Sequence, residues 1–246
     1  MDRSLYVMMS GAKETLQAQT TVSNNLANVN TTAFKADLEQ FRSMPVFGPG
    51  YPSRIYSLAE RPAVDMGSGP LRTTGRSLDV AIDGKGWMAV QAPQGGEAYT
   101  RRGDLRLTPE GLLQSGDGLL VLGENGPIAV PPAQKIDIAS DGTISVVPLG
   151  EKPNVLVVVD RIKLVRPDPK RLEKGIDGLV RLKGGGVSPP DAQATLTSGS
   201  LEGSNVNTVE ALVDMIELAR RYELQVKMMK TTKDDADATA QLLRMG

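Results

Sequence analysis

Polar and apolar positions divide the chain into two helical ends and a middle of different texture. From about Arg3 to Val29 there is no Pro and one Gly, Gly11. Alternating steps of three and four give Leu5, Met8, Ala12, Thr15, Gln19, Val22, Leu26 and Val29, and Met9 and Leu16 widen the stripe. This is a heptad-like helix with a polar patch at its centre, about 40 Å long. Ser23 to Thr32 then crowds Asn and Thr together. Asn tolerates left-handed backbone, so a fraying helix end and a turn are expected there. At the other end the same steps give Leu212, Met215, Ala219, Tyr222, Val226, Met229, Lys233, Ala236, Ala240 and Leu243, with only Lys233 breaking the apolar series. Asn207 is placed to cap this helix, and Glu210 completes a capping-box pattern. Glu217–Arg221 and Glu223–Lys227 are favourable pairs on its outer face. The seven-residue repeat predicts a helix of about 55 Å that supercoils with a partner.

Between the ends, residues 36–79 show no sustained period and are punctuated by Pro45, Pro49, Pro52, Pro62 and Pro70. They read as an extended linker. Short β-like runs follow: Val80–Ile82, Gly86–Val90, Leu119–Leu122, Ile128–Val130, Thr143–Val147 and Val155–Leu164. Asp-Gly and Gly-rich turns separate them, which predicts a small all-β domain. Gly184-Gly185-Gly186 and Pro189-Pro190 mark a flexible exit. The expected class is therefore α+β, with long terminal helices pairing as a coiled coil, an extended linker and a central all-β domain. The divisions are 1–35, 36–79, 80–183, 184–204 and 205–246. A lone amphipathic helix is marginal in water, so the two ends are expected to pack on each other and on neighbouring molecules. The seam residues are thus candidate assembly residues. The alternative, a private two-helix hairpin, stays open.

Composition narrows the chemistry. The 246 residues contain no Cys and no His, which excludes disulfides, thiolate nucleophiles, Ser-His-Asp triads and zincin helices. A net charge of -1 and 4% aromatic residues argue against a nucleic-acid partner. No apolar run reaches the length of a membrane span, and the N-terminus lacks the apolar stretch of a secretory signal. No cofactor or metal is expected. The basic run Arg161, Lys163, Arg166, Lys170, Arg171, Lys174, Arg181 and Lys183 reads as a solvated face rather than an anionic-partner site. Gly84-Lys85-Gly86 and Gly116-Asp117-Gly118 lack the Lys-Ser/Thr ending of a phosphate loop and read as turns. Asp137 and Asp141 do not make a catalytic pair, because Asp141-Gly142 is a turn.

The run Ser23-Asn24-Asn25-Leu26-Ala27-Asn28-Val29-Asn30-Thr31-Thr32-Ala33-Phe34-Lys35 resembles the N-terminal signature of the flagellar rod and hook family. Leu201-Glu202-Gly203-Ser204-Asn205-Val206-Asn207, followed by Glu210, Met215-Ile216 and Arg220-Arg221-Tyr222-Glu223, resembles its C-terminal signature. Tyr99 to Leu105 and Gly111-Leu112-Leu113 are similar to the family's β domain. Phe41-Arg42-Ser43-Met44-Pro45-Val46 and the Met-Asp start fit the proximal rod members, with the distal rod members next. Ala33 stands where the family pattern has Gly, and a positive φ there costs Ala on the order of 1 kcal/mol.

The resemblance implies a structural, non-enzymatic subunit of the periplasmic rod. It would leave the cell through the flagellar type III export apparatus without a cleaved signal. Its terminal helices would build a tube around the export channel, through contacts that propagate rather than close. Its implied partners are neighbouring rod subunits and the distal rod protein. Two other classes compete. A periplasmic hydrolase would use two carboxylates such as Asp104 and Glu110, and would lose its role on Asp104→Asn. A monomeric adaptor would bind one partner helix stoichiometrically and form no array.

Overall fold

The computed structural model describes residues 2–45, 55–150 and 155–245. Val46, Pro49 and Pro52 lie outside these. The chain forms two compact units. One comprises Met1–Val29, Ala36–Asp65 and Val206–Gly246; the other comprises Asn30–Lys35 and Met66–Asn205.

The first unit contains helix α1 (Asp2–Ala27), strands β1 (Asp37–Pro45) and β2 (Ile55–Val64), and helix α2 (Thr208–Met245). Both helices fall where Gly and Pro are scarce, as the pattern predicts. Asn207 Oδ1 accepts the N–H groups of Val209 at 3.1 Å and Glu210 at 3.4 Å, the expected cap. The helices run antiparallel: Thr15 Oγ1 donates to Gln225 Oε1 at 3.2 Å, and Thr232 Oγ1 approaches Met8 Sδ at 3.6 Å.

Within residues 36–79, expected to be an extended linker, β1 and β2 pair as an antiparallel ribbon. Phe41 lies opposite Ala59 and Met44 opposite Tyr56, with an irregularity between Leu38 and Gln40. The physical reason is plain. Beyond Glu39 every residue of β1 is exposed, so no buried face imposes a period of two on the sequence. The ribbon's base is held by α1. Asn25 Nδ2 donates to the Asp37 carbonyl at 2.8 Å, the Asp37 N–H donates back to Asn25 Oδ1 at 2.9 Å, and Thr21 Oγ1 donates to Glu39 at 2.7 Å.

The second unit is all-β. Its strands are β3 (Leu71–Thr73), β4 (Val80–Ile82), β5 (Trp87–Gln91), β6 (Glu97–Thr100), β7 (Arg106–Leu107), β8 (Leu113–Gln114), β9 (Ala133–Ile138), β10 (Thr143–Pro148), β11 (Val157–Arg161), β12 (Leu164–Val165), β13 (Leu172–Lys174), β14 (Val180–Leu182), β15 (Leu196–Ser198) and β16 (Ser200–Glu202). The largest sheet has the order β12-β5-β6-β14-β13, and a second has the order β11-β10-β9. Strand β5 separates two apolar layers. Met88 and Val90 join the main core with Leu105, Ile128 and Ile144, while Trp87 and Ala89 face a smaller one with Tyr99, Val165 and Val180. This two-sided burial explains why Trp87–Val90 reads as an unbroken apolar run.

The expected exit over 184–204 contains structure as well. Strand β15 returns to pair with β4, and β16 pairs with β3. Three-residue strands are too short to show a period.

Tyr99 is fully buried and its hydroxyl accepts the Ser188 N–H at 2.7 Å. Burial is the main cause that pushes its pKa up to about 12. The neutral form is therefore favoured by folding. The stability it contributes is complete below the ordinary tyrosine pKa of about 10 and is lost as pH rises toward 12. Absorbance titration should show this one phenol ionising after the exposed tyrosines.

Candidate functional site

The candidate assembly residues sit in three settings. On α1, Ala12 is buried, Met8, Val22, Leu26 and Val29 are half-buried, and Leu5 and Leu16 are exposed. On α2, Met215, Ala219, Tyr222, Met229 and Ala236 are half-buried, while Leu212, Val226, Ala240 and Leu243 are exposed.

The seam between the helices is rotated from the expected one at alternate positions. Its buried and half-buried positions on α2 are Ala211, Met215, Leu218, Ala219, Tyr222, Gln225, Met229, Thr232, Ala236 and Thr239. Gln225, Thr232 and Thr239 thus stand in for Val226, Lys233 and Ala240. The Thr15–Gln225 hydrogen bond selects this phase. So does Gly11, where an added Cβ would come within 3.0 Å of Gln225 Nε2. Lys233 therefore no longer interrupts the seam; it is exposed.

Rotation leaves α2 apolar on a second side. At 100° per residue, Val209, Val213, Ile216 and Leu224 fall on the face turned away from α1, and all four are at least half exposed. Tyr6 and Met9 on α1 are exposed too.

The signature residues are divided between the two units. At the end of α1, Asn28 donates from its backbone N–H to the Asn24 carbonyl at 3.1 Å and from its side chain to the same carbonyl at 3.0 Å. Asn25 is the buried residue that pairs with Asp37; Asn24, Ala27 and Asn30 are exposed, and Thr31 is half-buried. Ala33 takes φ 57°, the only positive φ among the described non-glycine residues, and its N–H donates to the Glu202 carbonyl at 2.9 Å. Ala33→Gly is expected to stabilise the chain by about 1 kcal/mol, measured by urea unfolding, because Gly carries no Cβ penalty in this region. The Lys174 ammonium lies 4.3 Å from the Phe34 ring centroid and donates to the Lys35 carbonyl at 2.9 Å. Ser204 is buried, Asn205 and Val206 are half-buried, and Asn207 is the exposed cap. The Asn205 N–H donates to the Phe34 carbonyl at 3.3 Å, so the two signatures meet here.

Within the β unit lies a buried charge cluster that the sequence pattern did not single out. Glu202 Oε1 accepts from Lys35 Nζ at 2.6 Å and from the Gly69 N–H at 2.9 Å, and Oε2 accepts from Arg101 Nε at 2.6 Å. Arg101 also donates to the carbonyls of Ile82, Gly84 and Gly86 at 2.8–2.9 Å, and its guanidinium lies 5.7 Å from the Trp87 ring centroid. Lys35 further donates to the Gly67 carbonyl at 2.6 Å. The signal was available only as charges inside the three family-like runs, and a charge in sequence reads as solvated.

The other candidate chemistry is absorbed structurally. Asp104 accepts from Arg102 Nε at 2.7 Å, while Glu110 sits exposed in a turn. Gly116–Gly118 turns back a hairpin, with the Ser115 N–H bonded to the Leu119 carbonyl; Gly84 instead turns between strands of different sheets. Asp141 accepts from Thr143, which holds its carboxyl below the ordinary range. Three members of the basic run pair with acids within the chain: Lys163 with Glu97, Arg166 with Asp191 and Arg181 with Asp177. Among the described residues, no helix is long and apolar enough to cross a membrane.

Three family profiles match. Residues 5–35 match "Flagella basal body rod protein", 81–146 match "Flagellar hook protein FlgE/F/G D1 domain", and 197–242 match "Flagellar basal body rod FlgEFG protein C-terminal". The chain is 42% identical to the flagellar basal-body rod protein FlgF of Escherichia coli K12, over the whole length of both. It is 34% identical to FlgF of Caulobacter vibrioides over 95% of each chain. It is 33% identical to FlgG of Bacillus subtilis over 96% of each.

Proposed function

The chain belongs to the flagellar basal-body rod protein family, and from that premise we propose how its surfaces serve assembly. It is a structural subunit of the rod, of the proximal type to which its full-length likeness to FlgF proteins points. The distal, FlgG-like alternative rests on lower identity. Its partners are other rod components, and its place is the flagellar basal body. The observation that carries the assembly reading is the second apolar face of α2. The α1–α2 pair behaves as an antiparallel coiled coil that uses one side of α2 for itself. The outer side, Val209 to Leu224, packs on helices of neighbouring rod subunits, and the exposed Leu5, Leu16, Leu212, Val226 and Leu243 add to that contact. Repeated heterologous contacts of this kind build a tube around a channel. Delivery is through the flagellar type III export apparatus, into the periplasm.

Quantitative mass spectrometry of purified basal bodies tests the reading. A few copies beside the other rod proteins are expected. Tens of copies would favour a distal position. Absence from basal bodies, with the chain in the soluble fraction, would overturn the rod assignment.

A further inference from the structure

We propose that the β13–β14 hairpin is a peg, with Ile176 at its tip, that seats in a socket at the far edge of the same sheet in a second copy of this chain. The inference rests on the rod assignment and names a further contact within it. Ile176 is fully exposed. One exposed apolar side chain is ordinary, but the turn that carries this one is held from both sides. The Gly175 N–H donates to the Leu179 carbonyl at 2.8 Å, and the Gly178 N–H donates to the Gly175 carbonyl at 3.0 Å. Asp177 accepts from the Leu179 N–H at 3.2 Å and from Arg181 Nη1 at 2.9 Å. Gly175 leaves room for that clamp, since a Cβ there would lie 2.6 Å from both Asp177 Oδ1 and Arg181 Nη1. The tip is thus set before any partner arrives, and little ordering entropy remains to be lost on docking.

The socket is a cavity of about 120 Å³ at β12, lined on its apolar side by Ile162, Leu164, Pro190 and Ala192. Three charged residues of its lining are already engaged within the chain. Lys163 donates to Glu97 at 2.6 Å, Asp191 pairs with Arg166 at 3.3 Å, and Arg161 Nε donates to the Asp141 carbonyl at 2.9 Å. An apolar cavity of about 150 Å³ holds a benzene ring, so this one accepts the four carbons of an isoleucine side chain. Peg and socket stand at opposite edges of one sheet, whose order is β12-β5-β6-β14-β13. Four strand spacings, about 19 Å, separate β12 from β13. A chain's own peg therefore does not fill its own socket, and Ile176 is left bare. Between two copies the same features meet head to tail. Each added copy brings a fresh peg and a fresh socket, so the contact propagates without closing.

The chain contains no Cys, so two introduced thiols report on the contact without background. Ile176→Cys and Ala192→Cys both replace exposed side chains, and changes of that kind leave the fold intact. Basal bodies carrying the full-length double variant are treated with a short bismaleimide and run on a denaturing gel. Covalent dimers and higher multimers are expected, which neither single variant gives. Monomer alone, from basal bodies that contain the double variant, would overturn the proposal. If the double variant is left out of basal bodies, competition between Ile176→Ser and Ile176→Val chains decides. The serine chain should be depleted about tenfold relative to the valine chain, and equal incorporation would overturn the peg. If even the unaltered chain is missing from basal bodies, it is the rod reading that fails. The same cross-linking on the concentrated free chain then decides the contact, with multimers supporting it and monomer alone overturning it.

Discussion

Ile216→Asp is expected to abolish incorporation into the rod while leaving the isolated chain folded. Ile216 is 56% exposed, so in the free subunit the new carboxylate stays in water. Surface changes of this kind usually shift stability by about 0.5 kcal/mol or less. In the proposed contact the same carboxylate would be buried against a neighbour's apolar side chains, at a cost of several kcal/mol in the absence of a cationic partner. Summed over every copy, that is enough to prevent a tube from propagating. Val213→Asp, on the same face, should behave alike. Ala12→Asp is the contrasting variant. Ala12 is buried, so this change should disrupt α1 in the free chain as well. Circular dichroism of the purified variants and basal-body mass spectrometry separate the cases. Normal incorporation of both Ile216→Asp and Val213→Asp would show that the outer face of α2 is not the contact.

The helices were legible because a sheltered stripe repeats over many turns, with no Pro in either helix and Gly11 the one glycine. Even so, the phase of the seam was not. Val226 is the more apolar choice and Gln225 the more polar, so hydrophobic pattern alone selects Val226. The structure selects Gln225 because Thr15 opposite offers it a hydrogen bond and Gly11 leaves room. The ribbon over β1 and β2 was illegible for the opposite reason. Beyond Glu39 its first strand is exposed throughout, so that strand's sequence bears no imprint of a face. Residues such as Phe41 and Met44, 44% and 50% exposed, stand on it without shelter. The short returning strands β15 and β16 fall below the length at which any period shows. Turn positions fared better: the demand for a positive φ at residue 33 followed from the glycine expected there. The cap at Asn207 needed only local chemistry. Lys35, Arg101 and Glu202 needed tertiary information, since three charges spread over 167 residues give no local hint that they share one buried site.

That site supplies the largest expected stability change. Glu202→Gln should destabilise the β unit by about 3–5 kcal/mol, since it takes the carboxylate away from two buried cations. Lys35→Met should cost less, about 1–2 kcal/mol, because it removes the bonds of one ammonium, to Glu202 and to the Gly67 carbonyl, and leaves a neutral Arg101–Glu202 pair. The asymmetry follows from the charge count: two cations share one carboxylate. The double variant Lys35→Met/Glu202→Gln should therefore cost less than the sum of the two single changes, since removing Lys35 relieves the repulsion that the glutamine exposes. Trp87 is the chain's only tryptophan and lies beside Arg101, so its fluorescence follows unfolding at the cluster itself during urea titration. High salt should change these differences little, since charges excluded from water are poorly screened. Additive costs in the double variant, or a Glu202→Gln change no larger than Lys35→Met, would show that the carboxylate is not shared between the two cations as the geometry requires.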